Sequence, residues 1–235
     1  CAFCGANGGG DQTLSKIEDI QHYLEQSKAF LQKKYGAQLF FVYFQNFTSL
    51  YKPHPAICKI LPFIAQQSDI VGVALSARPD FLDETFLLEI QQQLPHKEIW
   101  VDIGLQSADN RSLQKMNRGH SAEDFAEAIH KIDRLNIKSC AHIIAGLPGE
   151  TLDDWIATIH FLNDLPISGL KIHPLHIVRN SLWENAYAQQ KITLQSRNTF
   201  VQWAVQALAH LRPDIVIHRL TGEIDREHLI APNYC

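Results

Sequence analysis

Two cysteines near the start of the chain are spaced so that both thiolates can bind one metal centre. They are Cys1 and Cys4, and a glycine-rich stretch follows them. A thioredoxin-like redox pair needs a helix directly after the second cysteine, which glycines disfavour. A zinc ribbon needs a second pair, and Cys58, Cys140 and Cys235 stand alone. A cluster held by three thiolates needs one further cysteine, which could lie upstream, and a thiol redox pair remains an alternative.

Polar residues follow several of the apolar runs in the sequence. They are Gln45 and Asn46, Arg78, Gln106 and Ser107, Gly146, Pro148 and Gly149, and His173 and His176. In a barrel of parallel strands, functional groups gather at the carboxyl ends of the strands and face one mouth. We therefore predict that these residues line a common site.

Each of these residues also has a purely structural interpretation. Gly, Pro and Ser are what strand-to-helix turns require, so residues 106–107 and 146–150 could be turns only. A helix start directly after residue 150 could equally present amide groups to an anionic ligand. His173 and His176 could donate protons or contact a substrate, or be structural. Arg78 could bind a phosphate or carboxylate, or pair with Asp80.

The elements that must position these residues alternate between two types. Apolar, β-prone runs occur at 39–47, 70–77, 99–106, 139–145, 170–178 and 215–220. Helical patterns occur at 14–35, 54–67, 83–94, 122–135, 152–162 and 194–211. Nearly continuous apolar strands are typical of parallel strands covered by helices. An open doubly wound sheet and a barrel both fit, and the polar strand ends favour an α/β fold of the barrel type.

The composition excludes several classes of protein. The chain of 235 residues has 21 basic and 25 acidic residues, and its net charge of -4 gives no bulk attraction for nucleic acid or an anionic membrane. No apolar run approaches the roughly 20 residues that span a bilayer, so no membrane partner is expected. Five cysteines, an odd number, predict a reducing compartment, the cytoplasm. We expect one domain over residues 1–235, with an extension from about residue 180.

Several segments, in order, resemble those of the radical S-adenosylmethionine (SAM) superfamily. The first two cysteines resemble the end of its C-x3-C-x2-C motif, with the aromatic Phe3 before the last cysteine. The other similar segments are residues 43–49, 77–80, 102–107, 117–120, 142–150, 171–176 and 217–221. The similarity is greatest to a group of uncharacterised bacterial proteins in the branch that contains the Elongator catalytic subunit and oxygen-independent coproporphyrinogen oxidase.

This resemblance implies a partial (βα)6 barrel of the TIM type, a [4Fe–4S] cluster and SAM. An electron passed through the cluster would cleave SAM to methionine and a deoxyadenosyl radical, which abstracts hydrogen from a substrate. An electron donor such as flavodoxin or ferredoxin is implied as a partner. The Elongator similarity raises RNA as a substrate, and the acidic balance weakens that interpretation. A barrel that binds SAM or another ligand without radical chemistry is the alternative.

The resemblance also implies roles for individual residues. Cys1 and Cys4 would be cluster ligands, with Phe3 beside the adenine of SAM. The remaining SAM contacts would be Gln45 and Asn46 at the amino group, Gln106 and Ser107 at the ribose or methionine part, and Gly146, Pro148 and Gly149 at the adenine. The first barrel strand and first cluster cysteine of the family are absent from the sequence, so a fragment of a longer protein is expected.

Overall fold

Six parallel strands form one sheet in the computed structural model, which describes residues 1–3, 20–45, 49–50, 55–222, 224 and 226–234. Two short strands form a separate ribbon. In chain order the strands of both sheets are β1 (Phe40–Phe44), β2 (Ile70–Ala77), β3 (Glu98–Gln106), β4 (Lys138–Ala145), β5 (Gly169–Pro174), β6 (Ile177–Val178), β7 (Val216–Arg219) and β8 (Leu229–Ala231). The large sheet has the order β1-β2-β3-β4-β5-β7, and β6 pairs antiparallel with β8 in a separate ribbon.

Helices connect the parallel strands, as an α/β fold requires. They are α1 (Ile20–Tyr35), α2 (Pro55–Gln66), α3 (Glu84–Gln93), α4 (Asn110–Lys115), α5 (Ala122–Arg134), α6 (Leu152–Asn163), α7 (Leu182–Ala188) and α8 (Arg197–His210). Capping boxes fix two starts: Ser121 with Asp124 begins α5, and Thr151 with Asp154 begins α6. Each box satisfies backbone N–H groups that the first helical turn leaves without partners. Within the described residues, no helix is long and apolar enough to cross a bilayer.

The two faces of the sheet differ in chemistry because side chains alternate along a strand. On β3, the buried side chains of Val101, Ile103 and Leu105 pack in the main apolar core with the helices. Trp100 and Asp102, which alternate with these residues along the strand, point to the opposite, inner face. The same alternation on the other strands gives one apolar outer face and one inner face that carries the polar residues.

Contacts across the inner face show that the sheet curls into a half-barrel. Strands β1 and β5 are four neighbours apart in the sheet, which is about 19 Å in a flat arrangement. Yet the ammonium of Lys171 on β5 lies 4.6 Å from the ring centroid of Tyr43 on β1. The rings of Trp100 on β3 and His218 on β7 lie 4.5 Å apart. The predicted partial barrel is therefore confirmed over the flat doubly wound alternative.

Several predicted elements differ from the structure. The run 170–178 is not one strand: β5 ends at Pro174, and the chain then turns away to form β6. Proline lacks the N–H that would continue the ladder, which explains the break. The short helices α4 and α7 were not predicted. Parts of three predictions, residues 14–19 and residue 54 of two helices and residues 46–47 of a strand, lie outside the described residues. The extension from about residue 180 stays a prediction.

Candidate active site

The segment that carries Cys1 is anchored beside the carboxyl ends of β3 and β4. Its neighbour Ala2 donates a backbone hydrogen bond to Met116 O (2.8 Å) and accepts one from Trp183 N (3.1 Å). The ring centroids of Phe3 and Trp183 lie 6.2 Å apart. These contacts belong to a second apolar cluster, which also holds side chains of β4, the turn after it and β6. Apolar packing thus holds Cys1 at the mouth of the half-barrel.

Arg118 joins this cysteine to the end of β3. Its side chain is 7% exposed, and it donates from Nη1 to Cys1 Sγ (3.1 Å), from Nη2 to Gly104 O (3.1 Å) and from Nε to His120 Nε2 (2.9 Å). Burial, with the charge of Arg118, lowers the pKa of His120, so the imidazole is a neutral acceptor. Sequence reasoning assigned Arg118 no role, although it lies in one of the segments that resemble the family.

Gln106 stands in an unusual backbone conformation at the end of β3. Its φ is 75°, a left-handed value that costs a non-glycine residue roughly 1–3 kcal/mol. The register of β3 against β4 shifts between Gly104 and Gln106. A Cβ at Gly104 would collide with Gln106 Nε2 and Arg118 Nη2, so glycine makes room for both groups. The buried Oε1 of Gln106 has no hydrogen-bond partner among the described residues.

The hydroxyl of Ser107 ties the loop after β3 to the loop after β4. It donates to Glu150 Oε1 (2.5 Å) and accepts from the backbone N–H of Asp109 (3.0 Å). Burial raises the pKa of Glu150, and the hydrogen bond from Ser107 opposes that shift. The serine therefore fixes the relative position of two loops at the mouth.

The turn after β4 is built by two glycines with positive φ. Gly146 has φ 80° and Gly149 has φ 90°. A Cβ at Gly146 would lie 2.6 Å from Cδ of Gln195, and one at Gly149 would lie 3.0 Å from Lys115 Nζ. Any side chain at Gly146 would be strained and would meet Gln195. Pro148 lies between them, and the turn leads directly into α6.

Some predicted residues lie outside the described part of the chain. Cys4 and Asn46 are among them, so their positions carry no structural statement. Gln45, which directly follows β1, is exposed. Arg78 forms an ion pair with Asp80 at 2.6 Å between Nη2 and Oδ2, and its guanidinium lies 2.7 Å from where a Cβ at Gly119 would stand. The site that the structure does bring together therefore centres on Cys1, Gln106 and the turn after β4.

Deeper in the half-barrel, the inner face carries a charged pair that sequence reasoning missed. The ammonium of Lys171 donates to Oδ2 of Asp102, whose side chain is 1% exposed. Burial by itself would raise the pKa of Asp102, but the neighbouring His142 and the charge of Lys171 hold it well below its usual range. Burial lowers the pKa of His142, so Lys171 is the cation that balances this carboxylate at neutral pH.

Neutral groups surround this pair. Burial, together with the charge of Asp102, raises the pKa of both the Tyr43 phenol and the Cys140 thiol. Asp102, Cys140 and His142 bring their ligand atoms within 4.8 Å of one another, the spacing of a metal site. The ammonium of Lys171 on Asp102 and the protonated thiol of Cys140 oppose metal binding there, since ligands must be deprotonated and unpaired.

The rings of the predicted histidines His173 and His176 stack on one another. Their ring centroids are 5.5 Å apart and their planes differ by 8°. Burial lowers the pKa of His173 to about 3 and that of His176 to about 4. Nδ1 of His173 lies 2.9 Å from Pro174 O, so it carries the proton and leaves Nε2 as an acceptor. Both rings are neutral at physiological pH.

Comparisons with known proteins agree with this architecture. Family models match two parts of the chain: the radical SAM superfamily over residues 1–162 and the radical SAM C-terminal domain over residues 167–235. The uncharacterized protein YtqA of Bacillus subtilis is 29% identical, with 99% of this chain and 72% of the relative covered. An uncharacterized protein of Methanocaldococcus jannaschii is 32% identical, with 95% and 70% covered.

Two solved structures have the same fold at low sequence identity. The archaeal Elp3 protein of Methanocaldococcus infernus gives a TM-score of 0.64 at 17% identity, over 77% of this chain and 43% of that one. Coproporphyrinogen III oxidase (HemN) of Escherichia coli, a radical SAM enzyme, gives 0.58 at 17% identity, over 89% and 48%. At this level of identity, both similarities show the fold alone.

Proposed function

The chain belongs to the radical SAM superfamily, and from that premise we propose that it is an iron–sulfur enzyme that uses SAM to abstract hydrogen from a substrate. A bound [4Fe–4S] cluster would supply the electron that cleaves SAM reductively, giving methionine and a deoxyadenosyl radical. The observation that carries this proposal is the juxtaposition, at one mouth, of a cysteine thiol, a buried guanidinium and an amide oxygen that has no hydrogen-bond partner among the described residues.

The cysteines have the chemistry to hold the cluster. Thiolates are the usual protein ligands of iron–sulfur clusters, and Cys1 and Cys4 would supply two of them. The Arg118 guanidinium, 3.1 Å from Cys1 Sγ, stabilises a thiolate there by its charge. It also offers a cation to the carboxylate of SAM beside the cluster. Arg118 would thus hold both the ligand and the anionic end of the cofactor.

The residues after β3 and β4 fit the remainder of SAM. Oε1 of Gln106 is buried without a partner in the described part of the chain, and a hydroxyl or ammonium of SAM would satisfy it. The turn with Gly146, Pro148 and Gly149 offers a face without side chains, suited to the flat adenine ring. Ser107, already bonded to the loop after β4, would position that turn.

The remaining predicted contacts complete the proposal. Phe3, at the same anchored segment as Cys1, would lie against the adenine. Gln45 and Asn46 would contact the amino group of SAM.

His173, His176 and Arg78 would contact the substrate. Since the pKa of His173 is about 3 and that of His176 about 4, both rings act as neutral hydrogen-bonding groups and not as proton donors at pH 7. Arg78, which pairs with Asp80 and lies beside the loop at Gly119, would contact the substrate through its guanidinium. An electron donor of the flavodoxin or ferredoxin type and a cytoplasmic location complete the proposal.

Anaerobic reconstitution of the complete gene product tests this function. We expect about four irons per chain and a visible charge-transfer band, then release of deoxyadenosine after addition of dithionite and SAM. Cys1→Ala should lose the band and the deoxyadenosine. Cys58→Ala is the matched control, because Cys58 lies in α2 with its side chain against the core, and it should retain both.

The other outcomes identify the alternatives. SAM binding without deoxyadenosine would indicate a ligand-binding barrel. A disulfide between Cys1 and Cys4 that forms and breaks reversibly, without bound iron, would indicate a thiol redox protein. Either result would refute radical chemistry in this chain.

A further inference from the structure

The guanidinium of Arg219 on β7 faces the inner polar cluster. Arg219 pairs with Lys171 in the register of β5 and β7, and the Lys171 side chain lies on the inner face. The pKa values of His173, His176 and His142 are lowered mainly by burial, with a further contribution from the positive charge of Arg219. Its Nε is buried and has no hydrogen-bond partner among the described residues.

The charges around Arg219 do not balance. Among the described residues, two cations, Lys171 and Arg219, face one carboxylate, Asp102, and the lysine already occupies that carboxylate. The surrounding imidazoles, the Tyr43 phenol and the Cys140 thiol are neutral at pH 7 because burial shifts each pKa toward the uncharged form. No carboxylate of the described residues pairs with Arg219, so an anionic ligand would supply its counter-ion.

A second polar group of the same region is also unsatisfied. His176 is 6% exposed, and its buried Nε2 has no hydrogen-bond partner in the described part of the chain. A Cβ at Gly222 would lie 3.0 Å from His176 Cε1, so the segment after β7 packs directly on this ring. Arginine and a neutral histidine can each donate a hydrogen bond to the same oxyanion.

We propose that Arg219 and His176 form a receptor for an oxyanion, a carboxylate or phosphate group, carried by the substrate. This inference rests on the proposed function only in naming the ligand a substrate. Lys171, held by Asp102, keeps the region positive and aligns the neighbouring strand. The guanidinium offers paired N–H donors that match either oxyanion.

This receptor is distinct from the residues that would hold SAM. In the proposed function the carboxylate of SAM would be held by Arg118, which contacts Cys1. Arg219 lies on the last strand of the sheet, two strands beyond β4, whereas Arg118 contacts β3. A substrate bound between them would extend from the SAM mouth toward β7.

Titration of the purified full chain with simple anions tests the proposal. Inorganic phosphate and succinate are added separately at constant ionic strength in chloride, and binding is followed by calorimetry and by the rise in melting temperature. We expect saturable binding of at least one anion. Arg219→Gln should weaken it by roughly tenfold or more, and Arg219→Lys should restore part of it. The anion that binds more tightly, phosphate or succinate, shows whether the receptor prefers a phosphate or a carboxylate group.

Controls separate this proposal from folding and from the radical function. Lys131→Gln, which removes a cation on the surface of α5, should leave anion binding unchanged. Equal anion affinity in wild type and Arg219→Gln, or no saturable binding in wild type, would overturn the receptor. Asp225 lies outside the described residues. If it paired with Arg219, the Gln variant would lose stability without losing anion affinity, which also overturns the proposal. SAM cleavage is measured independently, so its failure leaves the anion result interpretable.

Discussion

Removal of Lys171 should expose the cost of a buried carboxylate at the centre of the half-barrel. In Lys171→Met, the Asp102 side chain stays 1% exposed and loses the hydrogen bond and ion pair that the ammonium provides. Breaking a buried pair in this way costs about 3–5 kcal/mol. Asp102→Asn should cost less, about 1–3 kcal/mol, because the lysine side chain, 14% exposed, can turn toward the open inner face.

The double variant Asp102→Asn/Lys171→Met gives the sharpest comparison. It removes both charges, so it should be more stable than Lys171→Met alone and show a coupling energy above about 1 kcal/mol. Urea denaturation gives the free energy of unfolding for each variant. For a chain of this size each kcal/mol shifts the melting temperature by about 2–4 °C, so Lys171→Met should melt roughly 6–20 °C lower.

The pH dependence follows from the lowered pKa of Asp102. A carboxyl group whose pKa is lowered on folding stabilises the protein above its unfolded pKa, and that contribution is lost as the pH falls through the folded value. The gap in stability between wild type and Asp102→Asn should therefore be constant from pH 5 to 8 and narrow below about pH 4. Additive single substitutions, or a gap that disappears near pH 6, would refute the pairing.

Two further predictions concern the mouth of the half-barrel. Gly104→Ala should displace Arg118 and Gln106, cost roughly 1–3 kcal/mol and weaken SAM binding in equilibrium dialysis, whereas unchanged SAM affinity would contradict the assigned site. Ser121→Ala removes the side-chain cap that bonds Asp124 N at the start of α5, and should lower the free energy of unfolding in urea by about 1 kcal/mol with SAM affinity retained; an unaltered denaturation midpoint would show that the capping box contributes nothing.

Much of the fold could be predicted from local patterns. Apolar runs marked the six parallel strands, and the helical patterns 122–135 and 152–162 begin at the residues where α5 and α6 begin. The error at residues 170–178 arose because apolar side chains continue past Pro174, while the chain leaves the sheet there. The pattern of strands and helices alone did not predict the curvature, which depends on which strands meet across the inner face, as Lys171 and Tyr43 do; the polar strand ends and the family resemblance favoured the barrel.

The site was only partly accessible to the same reasoning. Gln106 and Gly146 were selected as candidate site residues because they stand at the ends of apolar runs. Asp102 was overlooked inside an apolar run, although a charge in a buried strand signals a partner elsewhere in the chain. That partner, Lys171, is 69 positions away, and sequence spacing alone gives no means of pairing the two.

The alternation of the two faces has a practical consequence for engineering. On β3, β4 and β5, the outward residues pack against the helices and their direct neighbours point to the inner face, so the two sets interleave along every strand. A combinatorial library limited to inward positions outside the Asp102–Lys171 pair, such as 142 and 173, would vary the polar lining of the half-barrel while the packing against the helices stays intact. A one-residue frame error in designing that library would instead randomise the scaffold and yield unfolded clones.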